Sequence, residues 1–190
     1  MRIVCDVDEV VMKYIESACD FYNEVYRGDG DKRLEVSDFC EYDFKSVMGV
    51  GEEEKNMFMR AHYESNYFDR MRLVGGAREG VESLAREDEL FFATVRPCYM
   101  NGKTRACFDR EMPSVYRDVY FCVEPKDVLC RELRAGVIIE DSVFSLGYAE
   151  RGMNVVLFDK IWNRGIAHPN IYRCSNWVEI VDKVGELRNV

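Results

Sequence analysis

The sequence lacks an excess of positive charge, a long apolar run and a secretory signal. Its 190 residues carry a formal net charge of −9, whereas binding to a nucleic-acid polymer depends on a basic face. No apolar stretch reaches the roughly 18 residues of a membrane-spanning helix. We therefore expect a cytoplasmic protein with neither a nucleic-acid polymer nor a membrane as a partner.

The cysteines and histidines also lack the spacing of ligand pairs. The chain has eight cysteines, but no two of them form a CxxC pair, so we expect reduced thiols. Cys5, Cys122 and Cys130 lie inside apolar runs, where cysteine behaves as a small hydrophobe. His62 and His168 are far apart and show no metal-ligand spacing, so we assign them no catalytic part.

Apolar runs alternate with helical patterns over most of the chain after residue 76. We predict strands at the start of the chain and at 90–94, 118–123, 137–140 and 154–158. The predicted helices cover 77–87, 101–111, 125–133, 143–151 and 176–188. Strands that alternate with helices form a parallel sheet with helices on both faces. The sequence therefore predicts an α/β fold with a three-layer, Rossmann-like arrangement.

Residues 12–75 interrupt this alternation, because they contain no strand pattern. Apolar positions recur at helical spacing over 12–27, and a second helix is predicted over 51–65. We expect this block to form a small helical cap inserted after the first strand. The α/β core domain would then comprise residues 1–11 and 76–190.

Four aromatic residues stand out in the predicted cap: Phe21, Tyr22, Tyr42 and Phe44. They have two interpretations. They could stack on a nucleobase, or they could form the apolar interior of the cap. Helical spacing more often indicates an interior, and we favour that interpretation.

Two apolar runs end abruptly in carboxylates, namely Asp6 with Asp8 and Glu140 with Asp141. The carboxyl ends of parallel strands meet at one edge of the sheet, where open α/β sheets bind ligands. Two like charges 4 Å apart repel by roughly 4 kcal/mol at an effective dielectric of ~20. A hard divalent cation would relieve that repulsion, and oxygen ligands suit Mg²⁺. The sequence therefore predicts a Mg²⁺ site suited to phosphate chemistry.

Other strand ends also carry polar residues. Thr94 ends one predicted strand, Lys126 follows another, and Asp159 follows the fifth. The structural alternative is that such residues are helix N-caps, a role that Asp and Thr fill well. We favour the capping role for Asp159 alone.

Together these residues resemble the haloacid-dehalogenase (HAD) superfamily of phosphoryl-transfer enzymes. Four motifs occur in the order found there. They are the strand and Asp-x-Asp of Val4–Asp8, the strand that ends in Thr94, a lysine at a helix start (Lys126), and the acidic pair Glu140–Asp141. The resemblance covers most of the chain, and the four motifs together are specific.

Within that superfamily the chain resembles the cytosolic 5′(3′)-deoxyribonucleotidase type. Val10 stands where many relatives have Thr, the second motif has the form Thr94-Val95-Arg96-Pro97, and residues 157–164 resemble a short signature of these nucleotidases. A surface loop anchored by one tryptophan explains residues 157–164 equally well. One departure is Glu9, which occupies a position that is usually Gly. Glu9 could alter the turn beside the nucleophile or add a carboxylate.

The resemblance implies chemical roles for the acidic residues. Asp6 would attack phosphorus and form an aspartyl-phosphate, and Asp8 would serve as the general acid and base. Mg²⁺ would bind Asp6, the backbone carbonyl of Asp8 and Asp141. Glu140 would bind the ion directly or would contact the residues that bind it.

The resemblance also implies roles for three residues that contact the substrate. Thr94 would hold phosphate oxygens, and Lys126 would balance the charge of the transferring group. Arg96 could reach a phosphate or could instead pair with a neighbouring acid.

These roles predict a Mg²⁺-dependent phosphatase acting on a small phosphate monoester, foremost a (deoxy)nucleoside 5′-monophosphate. Two alternatives stay open at this stage. One is the same mechanism on a non-nucleotide substrate such as a sugar phosphate, and the other is a catalytically silent relative that only binds ligands. The oligomeric state is open too, a homodimer included.

Overall fold

The computed structural model describes residues 1–113, 115–121, 123 and 125–188. Its centre is a parallel sheet with the strand order β3-β2-β1-β4-β5-β6. The strands are β1 (Arg2–Asp6), β2 (Glu89–Ala93), β3 (Asp118–Tyr120), β4 (Val137–Glu140), β5 (Asn154–Phe158) and β6 (Ile171–Cys174). The predicted α/β fold is confirmed, and β1 lies next to β4, as the two carboxylate motifs require.

Nine α-helices are present among the described residues. They are α1 (Tyr14–Phe21), α2 (Phe44–Met48), α3 (Glu52–Glu64), α4 (Asn66–Asp69), α5 (Ala77–Glu87), α6 (Asn101–Glu111), α7 (Lys126–Leu133), α8 (Ser145–Glu150) and α9 (Trp177–Arg188). The helix predicted over 12–27 is α1 continued by a π-helical turn, Tyr22–Tyr26. None of the described helices is long and apolar enough to cross a membrane.

The strands are apolar without a break because both faces of the sheet are covered. Ile3 and Cys5 of β1 face one hydrophobic cluster, and Val4 between them faces the other. This split follows from the alternation of side chains along a strand. Cys5 and Cys130 are buried in these clusters, as predicted, whereas Cys122 lies outside the described residues.

At the carboxyl-terminal side of the sheet the sequence missed one strand, and one of its predictions is wrong. Strand β6 was not predicted, because it is a short edge strand that is largely half-buried, with one exposed residue. Asp159 does not cap a helix. Its carboxylate accepts a hydrogen bond from Arg173 of β6 at 2.6 Å, and a 3₁₀ turn, Ile161–Asn163, follows it. Sequence periodicity alone could not show this pairing across two strands.

The segment 12–75 is helical, and its interior is aromatic. Phe21, Tyr22 and Phe44 are buried there, as favoured from the sequence. The same hydrophobic cluster continues from Phe58 of α3 to Ile3 of the sheet. The division into a core and a separate cap therefore stays a prediction, and "cap segment" below means residues 12–75.

His62 lies at the centre of the cap segment and is fully buried. Its ring is 5.2 Å from that of Tyr14 and 5.7 Å from that of Phe21. Its Nε2 is 3.0 Å from Ser17 Oγ. Burial lowers the pKa of His62 to about 3, so the ring is neutral at physiological pH and packs as an aromatic residue.

His62 should make the protein sensitive to acid. Its pKa is near 6.5 in the unfolded chain and about 3 in the folded protein, so the unfolded state binds a proton first as the pH falls. Stability should therefore drop between pH 6.5 and pH 3, by about 2 kcal/mol at pH 5. Urea unfolding of His62→Gln should show a shallower acid slope than the wild type. His168→Gln is the matched control, and an equal slope in His62→Gln and the wild type would contradict the assignment.

Helix α5 packs closely on Trp177 at the start of α9. The Trp177 indole is buried and donates a hydrogen bond to the Val10 carbonyl at 3.0 Å. A Cβ added at Gly80 of α5 would overlap this indole, because it would lie 2.9 Å from Cδ2 and closer still to Cε3. Glycine at position 80 therefore permits the contact between the two helices.

Gly80→Ala should lower the free energy of unfolding by about 1–3 kcal/mol, the usual cost of overpacking. The matched control is Gly185→Ala in α9, where an added Cβ meets no atom within 4 Å outside the helix's own backbone. That substitution should raise stability by up to ~1 kcal/mol through helix propensity. Equal effects of the two substitutions in urea unfolding would refute the packing argument.

Candidate active site

Three carboxylates meet where β1 and β4 end. Asp6, Glu140 and Asp141 are buried, and each offers an oxygen within 4.8 Å of the others. Burial and the charge of Glu140 raise the pKa of Asp6 to about 7. Burial, followed by the charge of Asp6, raises the pKa of Asp141 well above its usual range. Three buried oxygen donors that repel one another fit a hard divalent cation.

Lys126 is the cation that the chain itself places against these acids. It is the first residue of α7, and its Nζ lies 2.6 Å from Asp6 Oδ1 and 2.9 Å from Glu140 Oε2. Burial acts to lower the pKa of Lys126, but Asp6 and Glu140 together raise it well above its usual range. Lys126 is therefore charged and is held between the two carboxylates.

Asp8 is not one of the three clustered carboxylates, and it binds Arg96 instead. The guanidinium donates from Nε to Asp8 Oδ2 at 3.0 Å and from Nη2 to Asp8 Oδ1 at 2.6 Å. Thr94 Oγ1 donates to Asp8 Oδ2 at 3.3 Å and accepts from the Arg96 backbone N–H at 3.1 Å. Arg96 was expected either to contact a phosphate or to pair with a neighbouring acid. In the structure it pairs with the acid Asp8.

Arg96 is itself fixed by residues of the cap segment. It is buried, and its guanidinium carbon lies 4.8 Å from the Phe68 ring centroid and 5.9 Å from that of Tyr14. Its Nη1 donates to Thr104 Oγ1 on α6 at 3.1 Å. The position of Asp8 therefore depends on packing between the sheet and the cap segment.

Asp141 is fixed by two residues of the 3₁₀ turn that follows β5. Trp162 Nε1 donates to the Asp141 carbonyl at 3.0 Å and to its Oδ2 at 3.2 Å. Asn163 Nδ2 donates to the same carbonyl at 2.7 Å, and Arg173 of β6 donates to Asn163 Oδ1 at 2.7 Å. Both residues lie in the segment 157–164, for which an anchoring tryptophan was one interpretation of the sequence. Neither residue was expected to contact Asp141.

Glu9 adopts the left-handed backbone conformation that glycine allows, with φ of 59°. Its carboxylate accepts a hydrogen bond from the Ile15 N–H at 2.7 Å, at the start of α1, and lies 3.6 Å from Lys160 Nζ. Burial raises the pKa of Glu9, while Lys160 and the Ile15 N–H oppose that shift. Glu9 therefore joins the turn after β1 to α1 and to the loop after β5.

The carboxylates form the floor of a cavity of about 160 Å³, and apolar side chains line its mouth. Tyr42 and Trp162 meet there with ring centroids 5.2 Å apart, beside the exposed side chains of Val95 and Phe144. Tyr42 thus lies at the mouth of the cavity and not in the cap interior, contrary to the favoured expectation. The site combines an acidic floor with an apolar rim.

Comparisons with known proteins identify the family of this chain and some of its relatives. A family model described as 5′ nucleotidase, deoxy (pyrimidine), cytosolic type C matches residues 1–189. A nucleotidase of Clostridium acetobutylicum is 26% identical over 153 residues, which cover 79% of this chain and 78% of that protein.

Solved structures of HAD-like hydrolases share the fold. One from Streptococcus pneumoniae has a TM-score of 0.73 at 12% identity and covers 96% of this chain and 97% of its own. Another, from Deinococcus radiodurans with bound phosphate and sodium, has a TM-score of 0.68 at 13% identity, covering 98% and 96%. At such identities the likeness concerns the fold alone.

Removing Arg96 should destabilise the protein because it leaves the Asp8 carboxylate without its cation. Arg96→Met should lower the free energy of unfolding by about 3–5 kcal/mol, the usual cost of breaking a buried ion pair. Arg96→Met combined with Asp8→Asn should cost less than the sum of the two single changes. Urea unfolding of the four proteins measures this coupling.

The matched control is Arg105→Met, which breaks a more exposed pair with Asp118 at 2.7 Å. That change should cost at most about 1 kcal/mol. Additive effects at Arg96 and Asp8 would show that the two side chains do not depend on each other.

Proposed function

The chain belongs to the 5′ nucleotidase, deoxy (pyrimidine), cytosolic type C family, and we propose that it releases phosphate from a nucleoside 5′-monophosphate through an aspartyl-phosphate. As a member it is a HAD-type phosphatase. The observation that carries the proposal is the position of Asp6, which lies beside Lys126, Glu140 and Asp141 at the floor of a cavity.

In the first step an Asp6 oxygen attacks phosphorus. A bond forms between this oxygen and phosphorus, and the ester bond to the nucleoside breaks. Asp8 gives a proton to the departing ester oxygen. In the second step a water attacks the aspartyl-phosphate, Asp8 takes the proton of that water, and inorganic phosphate leaves with Asp6 restored.

The other polar residues hold these groups in place. Lys126 offsets the charge of the transferring phosphoryl group and keeps Asp6 oriented. Arg96 and Thr94 hold the carboxylate of Asp8, two residues after the nucleophile Asp6, in place. In this proposal Arg96 and Thr94 both act on Asp8, because the single hydroxyl proton of Thr94 is already donated to that carboxylate. Neighbouring backbone N–H groups would then hold the phosphate oxygens.

Asp6, Asp141 and the backbone carbonyl of Asp8 would hold Mg²⁺, with Glu140 behind them because both of its oxygens face Lys126 at 2.9 and 3.3 Å. The three carboxylates fit such an ion because burial, together with their mutual repulsion, raises the pKa values of Asp6 and Asp141 and so disfavours their charged forms without a cation. A bound Mg²⁺ would shield the carboxylates from an incoming phosphate dianion.

The apolar rim favours a nucleotide over a sugar phosphate. Tyr42, Phe144 and Trp162 present aromatic surface beside the acidic floor. A nucleobase offers a flat apolar face to such rings, whereas a sugar ring presents hydroxyl groups that would lose water without hydrogen-bond partners.

A phosphate-release screen tests the proposal. With Mg²⁺, deoxynucleoside 5′-monophosphates should be hydrolysed faster than sugar phosphates, and EDTA should abolish release. Asp6→Asn should remove turnover, and Asp8→Asn should reduce it by roughly 10²–10⁴, the usual contribution of general acid–base catalysis. Asp182→Asn, an exposed site on α9, is the matched control and should keep full activity.

The outcomes separate the three hypotheses. Faster release from sugar phosphates would retain the mechanism and replace the substrate. No release from any ester with Mg²⁺ present would favour a silent, ligand-binding relative. Trapping with BeF₃⁻ checks the nucleophile, because beryllium bound to Asp141 or Glu140 in place of Asp6 would overturn the mechanism.

A further inference from the structure

A second groove lies at the amino-terminal edge of the sheet, opposite the acidic site. Its volume is about 640 Å³, and its lining includes Met1, Arg2, Arg86, Arg117 and Arg134. These residues come from the start of β1, from α5, from the loop before β3 and from the end of α7. The parallel topology therefore collects four arginines and the amino terminus on one edge of a chain whose net charge is −9.

The acids of this groove already have cationic partners. Asp88 accepts from the amino terminus at 2.7 Å and from Arg188 at 2.6 Å. Glu89 accepts from Arg2 at 2.9 Å, and Glu87 pairs with Arg188. These acids line the same groove, and the pKa of Glu89 is lowered mainly by its hydrogen bond with Arg2.

Three arginines of the groove form no ion pair within the described part of the chain. Arg86, Arg117 and Arg134 are exposed, and none has a carboxylate oxygen within 4.0 Å among the residues that the structure describes. Side chains of this kind are ordinary on a surface when they are scattered. Here they line one concavity whose acids are already neutralised, so the groove has a local positive excess.

Arg134 also occupies a backbone position that disfavours it. It ends α7 with φ of 52° and ψ of 43°, and the Ala135 N–H donates to the Cys130 carbonyl at 2.8 Å, the bond that closes a Schellman motif. Glycine is the usual residue there because it has no Cβ to strain. An arginine at such a strained position points to a use for its side chain.

We propose that this groove binds an oligophosphate anion, such as inorganic triphosphate or the triphosphate group of a nucleotide. Each guanidinium can hold one phosphate by a two-pronged hydrogen bond, so three of them suit a chain of phosphates better than a single one. A compact anion also avoids the repulsion that the rest of this acidic chain would exert on a long polyanion. The groove volume is in the range of small-ligand sites.

Calorimetric titration of the full chain with sodium tripolyphosphate in EDTA tests the proposal. Without a divalent cation the acidic floor of the active site repels anions, so the heat reports the groove. Tripolyphosphate should bind, inorganic phosphate should bind far more weakly, and affinity should fall with added salt. A nucleoside triphosphate in a parallel titration shows whether the nucleoside adds to the triphosphate contact.

Single variants locate the binding. Arg117→Gln and Arg134→Gln should each weaken tripolyphosphate binding by about ten-fold or more, the usual value of a charge-assisted contact. Arg33→Gln is the matched control: this exposed arginine lies in the cap segment, and the change in net charge is the same. Equal weakening in the control, or unchanged affinity in both groove variants, would overturn the proposal.

Arg134→Gly separates the effect of residue 134 on stability from its effect on binding. Glycine relieves the left-handed backbone, so the melting temperature should rise by a few degrees, while tripolyphosphate binding should still fall. Arg134→Lys should retain part of the affinity. Full binding by Arg134→Gly would show that the guanidinium has no part in the site.

Discussion

The repulsion among the buried carboxylates Asp6, Glu140 and Asp141 is the constraint on which the rest of the site depends. Three acids whose oxygens lie within 4.8 Å of one another cannot all be charged in a folded protein without positive charge nearby. Lys126, the first residue of α7, supplies one such charge directly.

The same constraint explains why so many hydrogen bonds converge on these acids. A carboxylate that is repelled by its neighbours needs donors to hold its backbone and side chain in place. Trp162 and Asn163 provide those donors for Asp141. Asn163 in turn depends on Arg173 of the edge strand β6. A strand remote from the chemistry thereby fixes one side of the acidic floor.

Much of the fold and part of the site could be predicted from the sequence. Each apolar run ends sharply at a polar residue, so Asp6, Thr94, Glu140 and Asp141 were placed at strand ends, and the alternating pattern fixed a parallel sheet. Strand β6 was not predicted because an edge strand is only half-buried and has no such apolar run. The roles of Trp162 and Asn163 escaped because they depend on a contact with a residue 21 and 22 positions away.

The partner of the Asp8 carboxylate could not be predicted from the sequence, for a physical reason. Alternation along an extended chain predicts that Asp6 and Asp8 share one side, yet the two carboxylates take different partners. Asp6 turns to Lys126, and Asp8 turns to Arg96. That choice depends on Arg96 being buried against Phe68 of the cap segment, which no local pattern encodes. Two acids separated by one residue thus acquire different surroundings, and different surroundings are what a nucleophile and an acid–base group require.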